Sequence, residues 1–185
     1  GFHARYFASS AEAKQAALEE IGGGSVGFGG SMTVDGMGLY EALKNQGNAV
    51  YCHAHTPLSE DPDIFFKEHT ADVYVCSSNA ITQDGKLVNI DGRGNRVGDM
   101  FNGPDKVIII AGKNKIVPDV SAGFARIKGY AAGLNARRLN RKTPCAVNLK
   151  CADCKSPDRL CRVSSVIERP MMSGKQIHVY LVDEE

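Results

Sequence analysis

The sequence predicts an α/β fold: a mostly parallel sheet covered by helices on both faces, in three α/β/α layers. Three observations predict it. Short apolar runs such as Lys106–Ala111 (KVIIIA) have the unbroken hydrophobicity of strands buried on both faces. Runs with apolar residues every three or four positions alternate with them, as in βαβ units. Many of the 20 glycines fall where a strand hands over to a helix.

Taken in order, Ser9-x-x-Glu12 is a capping box that opens the helical run AEAKQAALEEI, and Gly22–Gly24 close it. Ser25–Phe28 reads as a short buried strand. Gly29-Gly30 turns the chain, and Ser31 or Thr33 caps a helix running to about Gln46, weakened at Gly36 and Gly38. Asn48–His53 is the next strand. Asp61 or Asp63 starts a short helix through His69, and Ala71–Cys76 is strand-like. Gln83-Asp84-Gly85-Lys86 marks a hairpin between Ala80–Thr82 and Leu87–Ile90. A helix covers Asn95–Phe101, and Lys106–Ala111 is a buried strand. Pro118-Asp119 opens a long helix whose stripe is Val120, Phe124, Ile127, Ala131 and Leu134. Val163–Glu168 and Ile177–Val182 close the chain as a paired end, joined through Pro170–Lys175. The 185 residues suit one domain over 1–185, carrying a cysteine-rich segment at 144–162.

Composition narrows the function. Net charge is +1, which gives no global signature of nucleic-acid or membrane binding. No apolar run approaches the ~20 residues that span a bilayer. The opening GFHARYFASS has no apolar signal-peptide region, so the expected setting is cytoplasmic and reducing.

Four of the six cysteines fall within 17 residues, as Cys145-x5-Cys151-x2-Cys154-x6-Cys161. Clustered thiolates hold zinc or iron–sulfur clusters, and Cys151-Ala-Asp-Cys154 lets two sulfurs face one centre around a tight turn. Free redox thiols and disulfides are the alternatives, the latter disfavoured in a reducing compartment. The basic run Arg137–Lys142 just before it is a solvated helix face, a counter-charge for thiolates or a dock for an acidic partner. Cys52 and Cys76, in apolar strand-like runs, read as core.

Ligands of open α/β sheets bind beyond the carboxyl ends of the strands. Four loops point there. Gly29, Gly30, Ser31 and Thr33 form a strand–loop–helix, where glycine allows close approach and a helix start offers N–H groups to an anion. Ser78 and Asn79 follow another strand. Asp91, Gly94, Asn95 and Arg96 follow a third, and the Arg96 guanidinium can hold a phosphate or carboxylate through two hydrogen bonds. Asn114 and Lys115 follow the fourth. Each loop alone reads equally well as a tight turn; together they suggest a small anionic ligand. The loops contain neither a Rossmann fingerprint nor a P-loop. His53 and His55 share a face if their strand continues, which resembles half a metal site; one satisfied and one exposed histidine is the simpler reading.

These motifs, GFGGSMT, SSNAITQDG, NIDGRGNRV, AGKNKIV and CADCKSPDRLC, resemble the LUD (lactate utilisation) domain family over nearly the whole chain. The resemblance implies a NagB/RpiA/CoA-transferase-like fold, as in glucosamine-phosphate deaminases, ribose-phosphate isomerases and CoA transferases. It implies a bacterial setting beside iron–sulfur redox proteins that oxidise lactate to pyruvate. The expected role is an accessory subunit with a small anionic or nucleotide-like ligand, such proteins as partners, and homo-oligomerisation. The alternative is an autonomous CoA- or sugar-phosphate-processing enzyme. Many relatives carry a glutamate near the segment matching SSNAIT, where this chain has Asn79 and Thr82. An acyl-glutamate mechanism is therefore not implied, and no catalytic residue is assigned.

Overall fold

The computed structural model describes residues 1–184. The chain divides into two compact units: 1–77 with 98–114 and 169–185, and 78–97 with 115–168.

The first unit is built on a six-stranded parallel sheet in the order β1-β10-β7-β4-β2-β3. Its strands are β1 (His3–Phe7), β2 (Ser25–Phe28), β3 (Ala49–Cys52), β4 (Val73–Cys76), β7 (Lys106–Gly112) and β10 (Gln176–Val182). Val73, Val75, Ile108 and Ile110 pack on one face with helix α1 (Ser10–Ile21) and helices α2 (Met32–Gly36) and α3 (Leu39–Gln46). Their neighbours Tyr74, Cys76, Val107 and Ile109 point the opposite way and are also buried. Burial on both faces is why these strands read as continuous apolar runs. Helix α4 (Ile64–His69) lies against the second face, where a Cβ on Gly27 would meet its Glu68 carbonyl oxygen.

The second unit carries a four-stranded mixed sheet in the order β8-β5-β6-β9. Strands β5 (Ala80–Thr82) and β6 (Leu87–Asp91) form the expected hairpin, β8 (Ile116–Val117) runs parallel to β5, and β9 (Val163–Ile167) pairs antiparallel with β6. Its core is Ala80, Val88, Ile90, Val117 and Ile127. Helix α5 (Asn95–Asn102) follows β6, and α6 (Val120–Arg126), α7 (Ala132–Arg138) and α8 (Pro144–Asn148) complete the order.

Four elements differ from the sequence expectation. The final strands do not pair with each other, because β9 joins β6 while β10 inserts between β1 and β7. Strand β1 was not anticipated, since four of its five residues are exposed and carry no buried periodicity. The helix expected from Ser31 to Gln46 breaks at Gly38, whose φ of 63° is left-handed and leaves the helical path. The long helix passes through a π-helical turn at Ile127–Ala131 before α7. That turn takes up an extra residue and rotates the buried face, so Gly133 and Ala136 point inward and Leu134 is exposed.

Candidate functional site

In the first unit the candidate site is the loop after β2. Gly29 donates its N–H to the Val75 carbonyl (2.9 Å). A Cβ there would stand 2.7 Å from the Tyr74 hydroxyl and 3.0 Å from the Cys76 Cβ, so glycine is required by space. Ser31 accepts a hydrogen bond from Val34 N–H (3.3 Å) and caps α2, on which Thr33 sits. Gly30 faces His53, whose Nε2 would lie 3.5 Å from a Cβ at that position.

His53 is more tightly determined than the sequence suggested. Its Nδ1 lies 2.8 and 3.0 Å from the two Glu68 carboxylate oxygens, and its backbone N–H donates to the same carboxylate. Glu68 is completely buried. The imidazole stacks on Phe65 with centroids 4.7 Å apart and is a quarter exposed. Such a clamp directs Nδ1–H to the carboxylate and leaves Nε2 toward the glycine loop. Nothing in the local sequence marks Glu68, fifteen residues away, as the partner. His55 does not join it: β3 stops at Cys52, the chain turns, and His55 bonds Asp35 (3.2 Å) and stacks on Tyr40 (4.3 Å).

In the second unit the predicted residues form a connected polar network. Ser78 Oγ lies 2.8 Å from the Ala80 carbonyl, to which it donates, and 3.2 Å from Asn89 Oδ1. Asn89, fully buried, accepts the Asn79 N–H (2.9 Å). Asn79 Oδ1 accepts from Ile90 N–H (3.0 Å) and Arg96 Nη2 (2.8 Å). Asp91 accepts from Arg96 through Nε (3.0 Å) and Nη2, and from Val97 N–H at the start of α5 (3.0 Å). Gly94, at φ 86°, makes the turn before Asn95 opens that helix. The structure therefore turns the Arg96 fork toward Asp91 and Asn79. Arg126, which no motif flags, donates to the Asn79 carbonyl (2.8 Å), and burial lowers its pKa. Asn114 and Lys115 lie in a 3-10 turn after β7, Asn114 in the first unit and Lys115 in the second.

The four clustered cysteines line one small cavity of the second unit with Ala132, Ala136, Arg159 and Leu160. None of them forms a disulfide, nor do buried Cys52 and Cys76. Burial first, then the Cys151 sulfur, push the Cys161 thiol up; Arg159 opposes them, and Cys145 and Cys154 add to the rise. As placed, no group of three or more His, Cys, Asp or Glu side chains among the described residues could hold a metal ion. No described helix is long and apolar enough to cross a membrane.

A family profile described as LUD domain matches residues 1–182. The chain belongs to the LUD domain family. A DUF162 family protein from Deinococcus radiodurans has a similar structure, with 16% identity, 98% of this chain and 88% of that one covered, and a TM-score of 0.53. At that identity the likeness speaks for the fold. Ribose 5-phosphate isomerase A from Neisseria gonorrhoeae aligns over 60% of this chain and 54% of its own at 16% identity, TM-score 0.40. Ribose 5-phosphate isomerase from Plasmodium falciparum aligns over 59% and 52% at 17% identity, TM-score 0.38. No curated protein matches. The LUD domain is thus lactate-utilisation-type in its family, on an α/β scaffold with a parallel sheet.

Proposed function

We propose that this LUD-domain chain serves the oxidation of lactate or a related organic acid as an accessory subunit that binds a small anionic ligand. Family membership supports the setting. The observation that carries the binding reading is His53, clamped through Nδ1 by buried Glu68 with Nε2 turned to Gly30. Among the described residues Nε2 makes no hydrogen bond to protein. When the imidazole is protonated, that nitrogen donates to a carboxylate or phosphate, and backbone N–H groups of the Gly30–Ser31 loop add to it. A 2-hydroxy acid offers such a carboxylate with a hydroxyl beside it. Ser78, Asn79, Asp91, Gly94, Asn95 and Arg96 enter as a second loop system shaped by its internal bonds. Iron–sulfur redox proteins are the proposed partners, and a second copy of the chain is also proposed.

The test is thermal unfolding with lactate, inorganic phosphate, a nucleotide and CoA. One of them should raise Tm by several degrees, and His53→Ala should abolish the rise. A rise untouched by His53→Ala, or no rise with any of them, refutes the site. Pull-down with co-encoded redox proteins tests the subunit role. The same dyad favours a second reading, an autonomous CoA- or sugar-phosphate-processing enzyme, because a carboxylate-oriented imidazole is a general base. Turnover by the isolated chain would replace the accessory reading with that one.

A further inference from the structure

The four cysteines of the second unit have no part in the anion reading at His53. They line a cavity of about 20 Å³, room for roughly one water. No three of them are placed to share a metal ion, so their chemistry is sought in pairs. One pair is local. Cys151-Ala-Asp-Cys154 brings two thiols around a single turn, which Asp153 completes at a positive φ of 44°. The Asp153 N–H donates to Cys151 Sγ (3.4 Å) and fixes the place of that sulfur. The Lys128 carbonyl accepts the Cys151 N–H (3.2 Å) and ties the turn to the π-helical segment. Cys145 belongs to α8, with Thr143 Oγ1 3.3 Å from its sulfur.

An open concavity of about 420 Å³ adjoins that cavity, since Cys154, Arg159 and Cys161 line both. Cys151 lines the first and not the second. The rest of the concavity is Lys155, Ser156 and Arg162, so its lining has three cations and no carboxylate. Arg159 holds this wall together: it donates to the carbonyls of Cys154 and Cys161 (2.8 Å each) and pairs with Asp153 (2.8 Å). The positive charge extends beyond the groove. Residues 137–162 carry eight Lys and Arg against two Asp, in a chain whose net charge is +1. A small anion is drawn to such a surface. A partly exposed cysteine among cations is also the setting in which a thiolate forms and reacts. Of the two cysteines on the groove, Cys161 is disfavoured as the nucleophile because burial pushes its thiol up.

We propose that Cys154 and Cys151 are a redox-active dithiol that reduces anionic disulfides, small molecules with carboxylates near their sulfur–sulfur bond. The Cys154 thiolate attacks one substrate sulfur from the groove. The substrate S–S bond breaks, a mixed disulfide forms on Cys154, and one half leaves as a thiolate. Cys151, across the turn, then attacks the Cys154 sulfur as a thiolate. The Cys151–Cys154 disulfide closes and the second half leaves as a thiolate. The two protein thiols give up two electrons and two protons, and the substrate disulfide takes up the electrons. A dithiol returns the pair to its reduced form by the reverse exchange. Lys155, Arg159 and Arg162 receive the carboxylates of the substrate and the charge of the departing thiolate. The resolving sulfur needs no access to solvent, which suits the inner place of Cys151.

The probe is dithiobis(nitrobenzoate), a disulfide with two carboxylates that releases a coloured thiolate. One equivalent is added anaerobically to the fully reduced full chain. Each probe molecule should release both of its halves, and peptide mapping should find Cys151 joined to Cys154 with no retained adduct. Cys151→Ser should release one half and keep the other on Cys154, with a far-UV spectrum to confirm that the variant is folded. On the native chain the rate should fall several-fold as salt rises from ~10 mM to ~200 mM, whereas the rate with neutral dithiodipyridine should hold steady. An adduct retained on the native chain, a disulfide joining any other pair of cysteines, or equal salt dependence for the two probes would each overturn the proposal. None of these outcomes bears on anion binding at His53, so the two readings fail separately.

Discussion

Gly27→Ala and Gly98→Ala make the same chemical change and should shift stability in opposite directions. At Gly27, in the middle of β2, a new Cβ would stand 2.4 Å from the Glu68 carbonyl oxygen and 2.8 Å from the Glu68 Cα. Both are backbone atoms of α4, so no side chain can swing aside; helix and strand must separate. Overpacking of this kind costs about 1–3 kcal/mol, and a purely backbone obstacle belongs at the upper end. For a chain of this length each kcal/mol lowers Tm by roughly 2–4 °C, so a fall of about 4–12 °C is expected. At Gly98, inside α5, nothing lies within 4 Å of the built Cβ and φ is unexceptional. Alanine gains about 0.5–1 kcal/mol there from helix propensity. Calorimetric melts of both variants beside the parent provide the assay. Gly27→Ala also moves the residue that clamps His53, so any ligand-induced Tm rise should shrink with it. Equal Tm for parent and Gly27→Ala, or a comparable loss at Gly98→Ala, would refute the close-approach reasoning.

Asp91→Ala should cost about 3–5 kcal/mol in urea unfolding, because it removes the counter-charge of the Arg96 guanidinium, whose side chain is only 13% exposed, and the acceptor of the Val97 N–H. A loss under about 1 kcal/mol would mean that Asn79 and Ile90 suffice for Arg96. Alkaline pH should destabilise the first unit through Cys52, whose thiol burial pushes up to about 11 from 9.0. The unfolded thiol ionises first, so stability is full below pH 9 and falls as pH rises toward 11, by about 2–3 kcal/mol. Cys52→Ala should flatten part of the slope between pH 9 and 10, leaving the share of Tyr180, whose pKa burial also raises from 10.0; an unchanged slope would assign the whole titration to other groups. Ser9→Ala should cost about 1 kcal/mol, since Ser9 accepts the Glu12 N–H (3.3 Å) at the start of α1.

The hairpin, α1 and the buried strands were legible because their signals are local: a capping box, a Gln83–Lys86 turn, and apolar runs that only a covered parallel sheet explains. Non-local arrangements were not legible. Whether β9 and β10 pair with each other or with β6 and β7 depends on which sheet each joins, and both have ordinary strand sequences. The π-helical turn left no mark in a stripe that looked helical throughout, yet it decides that Gly133 faces α8 and Leu134 faces solvent. Of the functional residues, Arg96 and Asn79 could be picked from composition, but not the fact that they bond each other. Glu68 could not be picked at all, because a glutamate in a short helix reads as a surface residue until the fold buries it.

This contrast bears on how a binding group is recognised. A polar side chain at a strand end must first satisfy the buried backbone around it, since an unpaired buried donor or acceptor costs about 1–3 kcal/mol. Asn89 and Asn79 accept N–H groups of their own hairpin, and Asp91 accepts the Val97 N–H at the start of α5. Arg96 then neutralises Asp91. These residue types therefore recur at such loops whether or not a ligand binds there, and their presence alone discriminates poorly. A group held through one atom and left open at another is more informative. His53 meets that description, with Nδ1 fixed by a carboxylate that has no exposure and Nε2 directed at a loop where Gly29 admits no side chain. Glu68→Gln separates the two roles: it keeps the side chain's size but removes the charge. If Glu68 serves to orient His53, the ligand-induced Tm rise should shrink in the variant, because an amide no longer fixes Nδ1–H and the direction of Nε2 as the carboxylate does. If Glu68 serves only packing, the ligand-induced rise should stay as it is while the Tm of the unliganded chain alone changes.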